Sequence, residues 1–293
     1  MKRQVFGHLP THRVRQVRTP DGLIIAAQDW RPSRDGRPAE SARRRSLLLI
    51  HGYSQSHRCW LQQVSGPLAQ QFDLVSYDLR GHGDSDKPLQ PQYYRETVRW
   101  ADEVRAVIEQ MQLERPIVVA WSYAGRVILD YLSVFGEQAL GGLVMVSAAS
   151  TAGPEVTGPA SVLLDRMGDA DPARARAATQ AFVAACVARP LPPQQFDYIL
   201  AFNQQTPPQV RKHLRGRPAH YARLLRSLTL PTLVICGELD AVNLPAMSAY
   251  TASHVPGART LWYPGVAHMP FWEVPERFDA DVAQFVRSLD HEG

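Results

Sequence analysis

From Ser46 onward, short apolar runs alternate with amphipathic segments of helical period, and this alternation restricts the chain to one broad architecture. The runs Leu47 to Ile50, Leu74 to Ser76, Ile117 to Trp121, Leu143 to Val146, Thr232 to Cys236 and Arg259 to Tyr263 read as strands. The helical segments between and after them run near Cys59 to Gln71, Tyr93 to Met111, Ala124 to Phe135, Pro245 to His254 and Pro275 to Ser288. Strand and helix alternating in this way predict a parallel sheet covered on both faces, with functional groups gathered at the carboxyl ends of the strands. Val14 to Arg18 and Leu23 to Trp30 are predicted to pair ahead of it through Pro20-Asp21-Gly22, so the sheet begins antiparallel. The fold class is thus α/β, a mostly parallel sheet of eight strands.

The alternation stops between about Ser150 and Ser227. Within that stretch Ala173 to Ala188 and Pro193 to Asn203 read as helices, separated by Pro190-Leu-Pro-Pro and followed by Pro207-Pro208. The expected organisation is a core of residues 1–150 and 228–293 with residues 151–227 inserted. A chain of 293 residues is long enough for one such domain. An apolar share of 45% and a charged share of 20% suit a folded chain. No apolar run reaches about 18 residues, so no membrane span is expected. The basic start, Met1-Lys-Arg-Gln-Val-Phe-Gly-His, lacks the apolar stretch of a signal peptide, and a cytoplasmic location is the expectation.

Cys59, Cys186 and Cys236 match no zinc pattern and are expected to be free, mostly buried thiols. The charge balance is mild, 32 basic against 28 acidic residues. Much of the excess lies in Arg31 to Arg45, expected to be a solvated loop between two strands. No basic-aromatic module accompanies it, so a nucleic-acid partner is not expected.

Four motifs sit at predicted strand ends. Val118-Val-Ala-Trp-Ser122-Tyr-Ala-Gly125 places a serine on a sharp strand-to-helix turn, with small residues at Ala120, Ala124 and Gly125 to permit it. His51-Gly52-Tyr53 follows an apolar run. Gly237-Glu-Leu-Asp240 ends another at an acid, and Tyr263-Pro-Gly-Val-Ala-His268 supplies a histidine beside Met269-Pro270-Phe271-Trp272. The order Ser, Asp, His along the chain is that of the α/β-hydrolase family. From about Val14 to about Val286 the chain resembles that family, in its serine esterase and cofactor-free haloperoxidase-like branch. It departs from the usual Gly-x-Ser-x-Gly spelling, with Ala120 in place of the first glycine. The resemblance implies that residues 151–227 form a helical cap over the site.

A serine hydroxyl is a weak nucleophile near neutral pH and needs a base within hydrogen-bond reach. His268 is the candidate, with His51 and His82 as competitors; those two are expected to shape the loops in which they lie. The base needs a carboxylate to hold its tautomer. Asp240 fits best, Glu238 lies too near its strand end, and Leu143 to Ser150 offers no acid at the position that some relatives use. The oxyanion of a tetrahedral intermediate would meet the backbone N–H groups of Tyr53 and Tyr123. Gly52 and Trp121 are expected to contact substrate. The polar Asp78-Leu-Arg-Gly-His-Gly-Asp-Ser85 stretch has a structural role in the family and lacks the context of a dinucleotide site.

These residues imply ester hydrolysis through an acyl-enzyme on Ser122, with no cofactor and no metal. Cofactor-free haloperoxidases and perhydrolases, carbon–carbon bond hydrolases and esterases acting on carrier-linked acyl groups share the arrangement, as do receptors that keep a slow triad. Ser122 argues against epoxide or halide chemistry, which uses aspartate there. Leu163, Met167, Phe182, Phe196, Tyr198 and Phe202 suit either a small apolar or aromatic acyl substrate or packing of the cap itself. Arg166, Arg174, Arg176, Arg189, Arg211, Arg215 and Arg217 read as a solvated helix surface or as a seat for an acidic acyl carrier protein.

Overall fold

The computed structural model describes residues 8–31 and 44–289. Most of the basic Arg31 to Arg45 loop, and the first seven residues, therefore lie outside the described residues. Strands β1 (Arg13–Arg18) and β2 (Ile24–Asp29) pair antiparallel as expected. Gly22 turns the chain between them with φ +88°, a conformation that glycine adopts without penalty. There follow β3 (Ser46–Ile50), α1 (Leu61–Ser65), α2 (Pro67–Gln71), β4 (Asp73–Tyr77), α3 (Gln92–Arg95), α4 (Thr97–Gln110), β5 (Ile117–Trp121), α5 (Ala124–Phe135) and β6 (Gly142–Val146). Five helices then intervene: α6 (Val162–Arg166), α7 (Pro172–Ala185), α8 (Pro193–Asn203), α9 (Pro208–Leu214) and α10 (Ala222–Ser227). The core resumes with β7 (Thr232–Gly237), α11 (Pro245–His254), β8 (Arg259–Tyr263), α12 (Pro270–Glu273) and α13 (Pro275–Ser288).

The eight strands form one sheet in the order β1-β2-β4-β3-β5-β6-β7-β8. β2 runs antiparallel to β1 and β4, and β3 to β8 are parallel to one another. The order reverses between β3 and β5. The chain leaves β3 toward β4 on one side and leaves β5 toward β6 on the other, so the two following loops diverge and open a crevice at the carboxyl ends. Every residue of β4, β5, β6 and β7 is buried, which explains why β5 and β6 read as unbroken apolar runs and β4 and β7 as mostly apolar ones. The edge strands β1 and β8 are mostly exposed.

Two expected helices are broken. Cys59 to Gln71 divides at Gly66-Pro67, because Pro67 has no N–H to donate within a helix, and it serves instead as the first residue of α2. Tyr93 to Met111 divides at Glu96, whose backbone is extended. In the inserted stretch two helices were expected and five are present. The three additional ones, α6, α9 and α10, have five, seven and six residues, too short for a periodic signal. Two of the prolines that separate segments in the sequence, Pro193 and Pro208, open helices here, as Pro172 does for α7. All three cysteines are free and buried. No helix among the described residues is long and apolar enough to cross a membrane.

Leu48 in β3 is fully buried and Val14 on the edge strand is 59% exposed. Leu48→Ala is expected to cost about 2–5 kcal/mol of stability, and Val14→Ala within about 0.5 kcal/mol of nothing, measured by urea unfolding. Equal effects would mean that the sheet centre is not the stabilising core.

Candidate active site

β5 ends in a turn that places Ser122 at φ +56°, a left-handed conformation that costs a non-glycine residue about 1–3 kcal/mol. Neighbouring backbone holds it there. Ser122 N–H donates to the Val146 carbonyl at 3.0 Å, and the Ser122 carbonyl accepts from Gly125 and Ala149 N–H at 2.9 Å each. Gly125 is required because a Cβ there would lie 2.7 Å from the Ala149 carbonyl oxygen. On the other side of the crevice, a Cβ on Gly52 would stand 3.1 Å from Ser122 Cβ, so the loop after β3 packs directly on the serine.

Ser122 Oγ lies 2.8 Å from His268 Nε2, and His268 Nδ1 lies 2.7 Å from Asp240 Oδ2. With Nδ1 donating to the carboxylate, Nε2 is left to accept the serine proton. The other oxygen of Asp240 accepts from the N–H groups of Val242 and Asn243 at 2.8 and 3.0 Å, which fixes the carboxylate plane. Gly237 lets the two loops meet: a Cβ on it would come within 2.0 Å of the Ala267 carbonyl. His268 is itself tethered, its N–H donating to the Cys186 carbonyl (3.1 Å) and its carbonyl accepting from the Trp121 indole (2.8 Å). Trp121, expected to contact substrate, is 1% exposed and packs edge-to-face against Phe271.

The N–H groups of Tyr53 and Tyr123 donate to no acceptor among the described residues, while those of Ser54 and Ser122 beside them are spent on His82 and the Val146 carbonyl. Tyr123 precedes the first turn of α5, where the helix dipole favours negative charge. The tyrosine rings are buried. Tyr53 Oη donates to carbonyls of Leu164 and Arg211, and burial pushes its phenol pKa well up. Tyr123 Oη accepts from Arg217, which also pairs with Asp130.

The competing histidines are occupied elsewhere. His51 donates to the Gly52 carbonyl from Nδ1 (2.8 Å) and accepts from Leu79 N–H at Nε2 (3.0 Å). His82 donates to the Arg80 carbonyl and accepts from Ser54 N–H, at 2.9 and 3.1 Å. Both are neutral near pH 7, because burial pushes His51 down to about 4 and His82 down to about 3. His57, Asp78 and Asp84 bring ligand atoms within 4.8 Å of one another. Asp78 already accepts from the His57 N–H, the His57 ring and the Asp84 N–H, so its lone pairs serve the loop.

Sequence reasoning missed the residues that hold the loops. Nothing in the local sequence marks Arg211 or Arg217 as buried; they are 3% and 5% exposed. Of the arginines expected on a solvated face, Arg174 pairs with Asp169 and Asp171 and Arg215 with Asp165. Of the apolar set, Met167, Phe182 and Phe202 are core, whereas Leu163, Phe196 and Tyr198 are only partly buried. The assembled geometry can activate a hydroxyl by proton transfer and offer two N–H donors to an oxygen beside it.

The profile of the Alpha/beta hydrolase family matches residues 47–281. The chain is similar to the crystal structure of an esterase from Rhodococcus sp. ECU1013, 32% identical, with a TM-score of 0.84 over 94% of this chain and 99% of that one. It is also similar to a Burkholderia cenocepacia structure provisionally named an aryl esterase, 30% identical, with a TM-score of 0.86 over 94% and 99%. The bifunctional esterase/perhydrolase DCH of Acinetobacter calcoaceticus is 25% identical over 295 residues, covering 93% of this chain and 99% of its own.

Between about pH 4 and 6.5 an unfolded histidine takes up a proton that His51 and His82 in the native state do not, so these two residues make stability rise with pH across that window. His82→Gln, whose amide oxygen can still accept from Ser54 N–H, should reduce that slope by up to ~1.4 kcal/mol per pH unit. Urea unfolding of both proteins at several pH values checks this, with other groups cancelling in the difference; parallel curves would refute it.

Proposed function

This chain belongs to the alpha/beta hydrolase family, and from that premise we propose that it cleaves carboxylic esters, or close acyl analogues, through an acyl-enzyme on Ser122. The observation that carries the reading is the continuous chain from Ser122 Oγ through His268 to Asp240, at 2.8 and 2.7 Å, beside two unspent backbone N–H groups. The similarity to esterases at 30% and 32% identity supports the ester class.

In this mechanism His268 takes the serine proton as Oγ attacks the ester carbonyl, and Asp240 holds the imidazolium that forms. Tyr53 and Tyr123 N–H groups meet the oxyanion, each such donor being worth about 3 kcal/mol in the transition state. His268 then protonates the departing alcohol, and water, activated by the same base, releases the acid. Residues 151–227 act as the cap, with Leu163, Phe196 and Tyr198 offering partly buried apolar surface for the acyl group.

A second reading is favoured by the likeness to the Acinetobacter esterase/perhydrolase. Hydrogen peroxide in place of water would attack the acyl-enzyme, yielding a peracid and regenerating Ser122. With acetate and bromide supplied, the peracid would oxidise bromide to hypobromite and return the acid, so peroxide-dependent bromination of monochlorodimedone would reveal it.

Turnover of p-nitrophenyl acetate and butyrate is expected to fall on the order of 10⁶-fold in Ser122→Ala and His268→Ala and on the order of 10⁴-fold in Asp240→Ala, since orientation is less absolute a need than the nucleophile or base. Intact mass spectrometry after a fluorophosphonate should show one adduct, lost in Ser122→Ala. Wild-type turnover retained in Ser122→Ala would overturn the mechanism.

A further inference from the structure

The loop after β3, which carries the Tyr53 N–H, is bonded residue by residue to the helices between β6 and β7. Tyr53 Oη donates to Leu164 and Arg211 carbonyls at 3.0 and 3.1 Å. Ser54 Oγ donates to the Asn203 carbonyl at 3.1 Å and accepts from Arg211 Nε at 3.0 Å. The Gln55 and Asn203 side-chain amides exchange a reciprocal pair of hydrogen bonds at 3.3 Å. Ser54 needs this support, because its φ of +59° is the left-handed conformation that costs a residue with a Cβ.

Arg211 stands out among these partners. It is 3% exposed, and it makes no ion pair with a carboxylate among the described residues. Besides Ser54 Oγ, its guanidinium donates, among the described residues, only to the Met167 carbonyl, Thr179 Oγ1 and the Asn203 carbonyl. Burial pushes its pKa down, so the site works against the charge, yet neutral acceptors on three elements hold the guanidinium in place. An unneutralised buried cation costs stability that hydrogen bonds offset only in part, and a low-dielectric site lets it act strongly on any charge nearby. One of its bonded partners, Ser54 at 3.0 Å, follows the residue whose N–H faces the oxyanion in the mechanism above.

We propose that Arg211 is a positioning residue for the oxyanion site. It fixes the Tyr53 N–H through Ser54, and its unpaired charge favours the negative charge that develops there. The helices of residues 151–227 are then a working part of the site and not a lid that swings clear. They hold its other half as well: Cys186 accepts from His268 N–H, and Glu273 bridges Ala188 and Ala267 N–H groups at 2.7 and 2.8 Å. The inference rests on the esterase reading with Tyr53 as an oxyanion donor.

Because the oxyanion is absent from bound substrate and develops on the way to the tetrahedral intermediate, losing Arg211 should lower kcat and leave KM nearly unchanged. The test compares wild type, Arg211→Lys, Arg211→Met and Ser54→Ala, each checked for folding by circular dichroism. Each is assayed for p-nitrophenyl butyrate kinetics and for inhibition by an alkyl trifluoromethyl ketone, whose serine adduct carries the oxyanion. Arg211→Met is expected to lose about tenfold or more in kcat with KM within about twofold, and to bind the ketone more weakly by a similar factor; a whole lost donor costs 10²–10³. Arg211→Lys should recover part of both losses. Ser54→Ala, which keeps the charge and cuts the link, should lower kcat and ketone affinity with KM nearly unchanged, and it decides the matter if Arg211→Met does not fold. Folded variants with kcat within twofold of wild type, or with KM raised and ketone affinity intact, would overturn the proposal alone. A wild type that neither turns over ester nor takes a fluorophosphonate on Ser122 would remove the esterase reading, and the proposal with it.

Discussion

A serine held at positive φ between a buried strand and a helix is the constraint on which the rest of the site depends. The strain at Ser122 is tolerable only because β6 and the loop after it grip its backbone from one side and Gly52 closes against its Cβ from the other. Those neighbours exist because β3, β5 and β6 are adjacent and parallel, and because the strand order reverses between β3 and β5. The glycines follow from the same crowding. At positions 125 and 237 the obstacle to a side chain is backbone carbonyl oxygen, which cannot move aside.

The second requirement is that three loops meet without drifting. A hydrogen bond between side chains on separate loops orients nothing unless each loop is itself anchored. His268 is anchored through its own backbone, by the Trp121 indole on one side and the Cys186 carbonyl on the other. Asp240 is anchored by two N–H groups of its own turn. The loop after β3 hangs on His82 from the core and on Asn203 and Arg211 from the helical insert. The buried neutral histidines suit this task, since each ring donates at one nitrogen and accepts at the other with a fixed tautomer.

Much of this was legible in the sequence. The eight strands, the antiparallel start, α5, α8, α11, α13 and the positions of Ser122, Asp240 and His268 at strand ends follow from period, turn chemistry and motif order. The breaks at Gly66 and Glu96 and the short helices α6, α9 and α10 did not, because four to seven residues carry too little periodicity to register. Trp121 was legible as apolar and near the serine, but its hydrogen bond to His268 spans 147 positions. Arg211 looked like any surface arginine in a basic stretch.

The amino-acid sequence by itself determined the layered α/β architecture, the order in which serine, acid and histidine arrive, and the small residues that the sharp turn needs, because each of these depends on local period or local volume. Only the tertiary structure decided which side chains hold those groups in register. Most partners of His268, Ser54 and Arg211 lie tens of residues or more away, and burial, which turns an arginine from solvated surface into an unpaired internal charge, is a property of the packed chain and not of any segment within it.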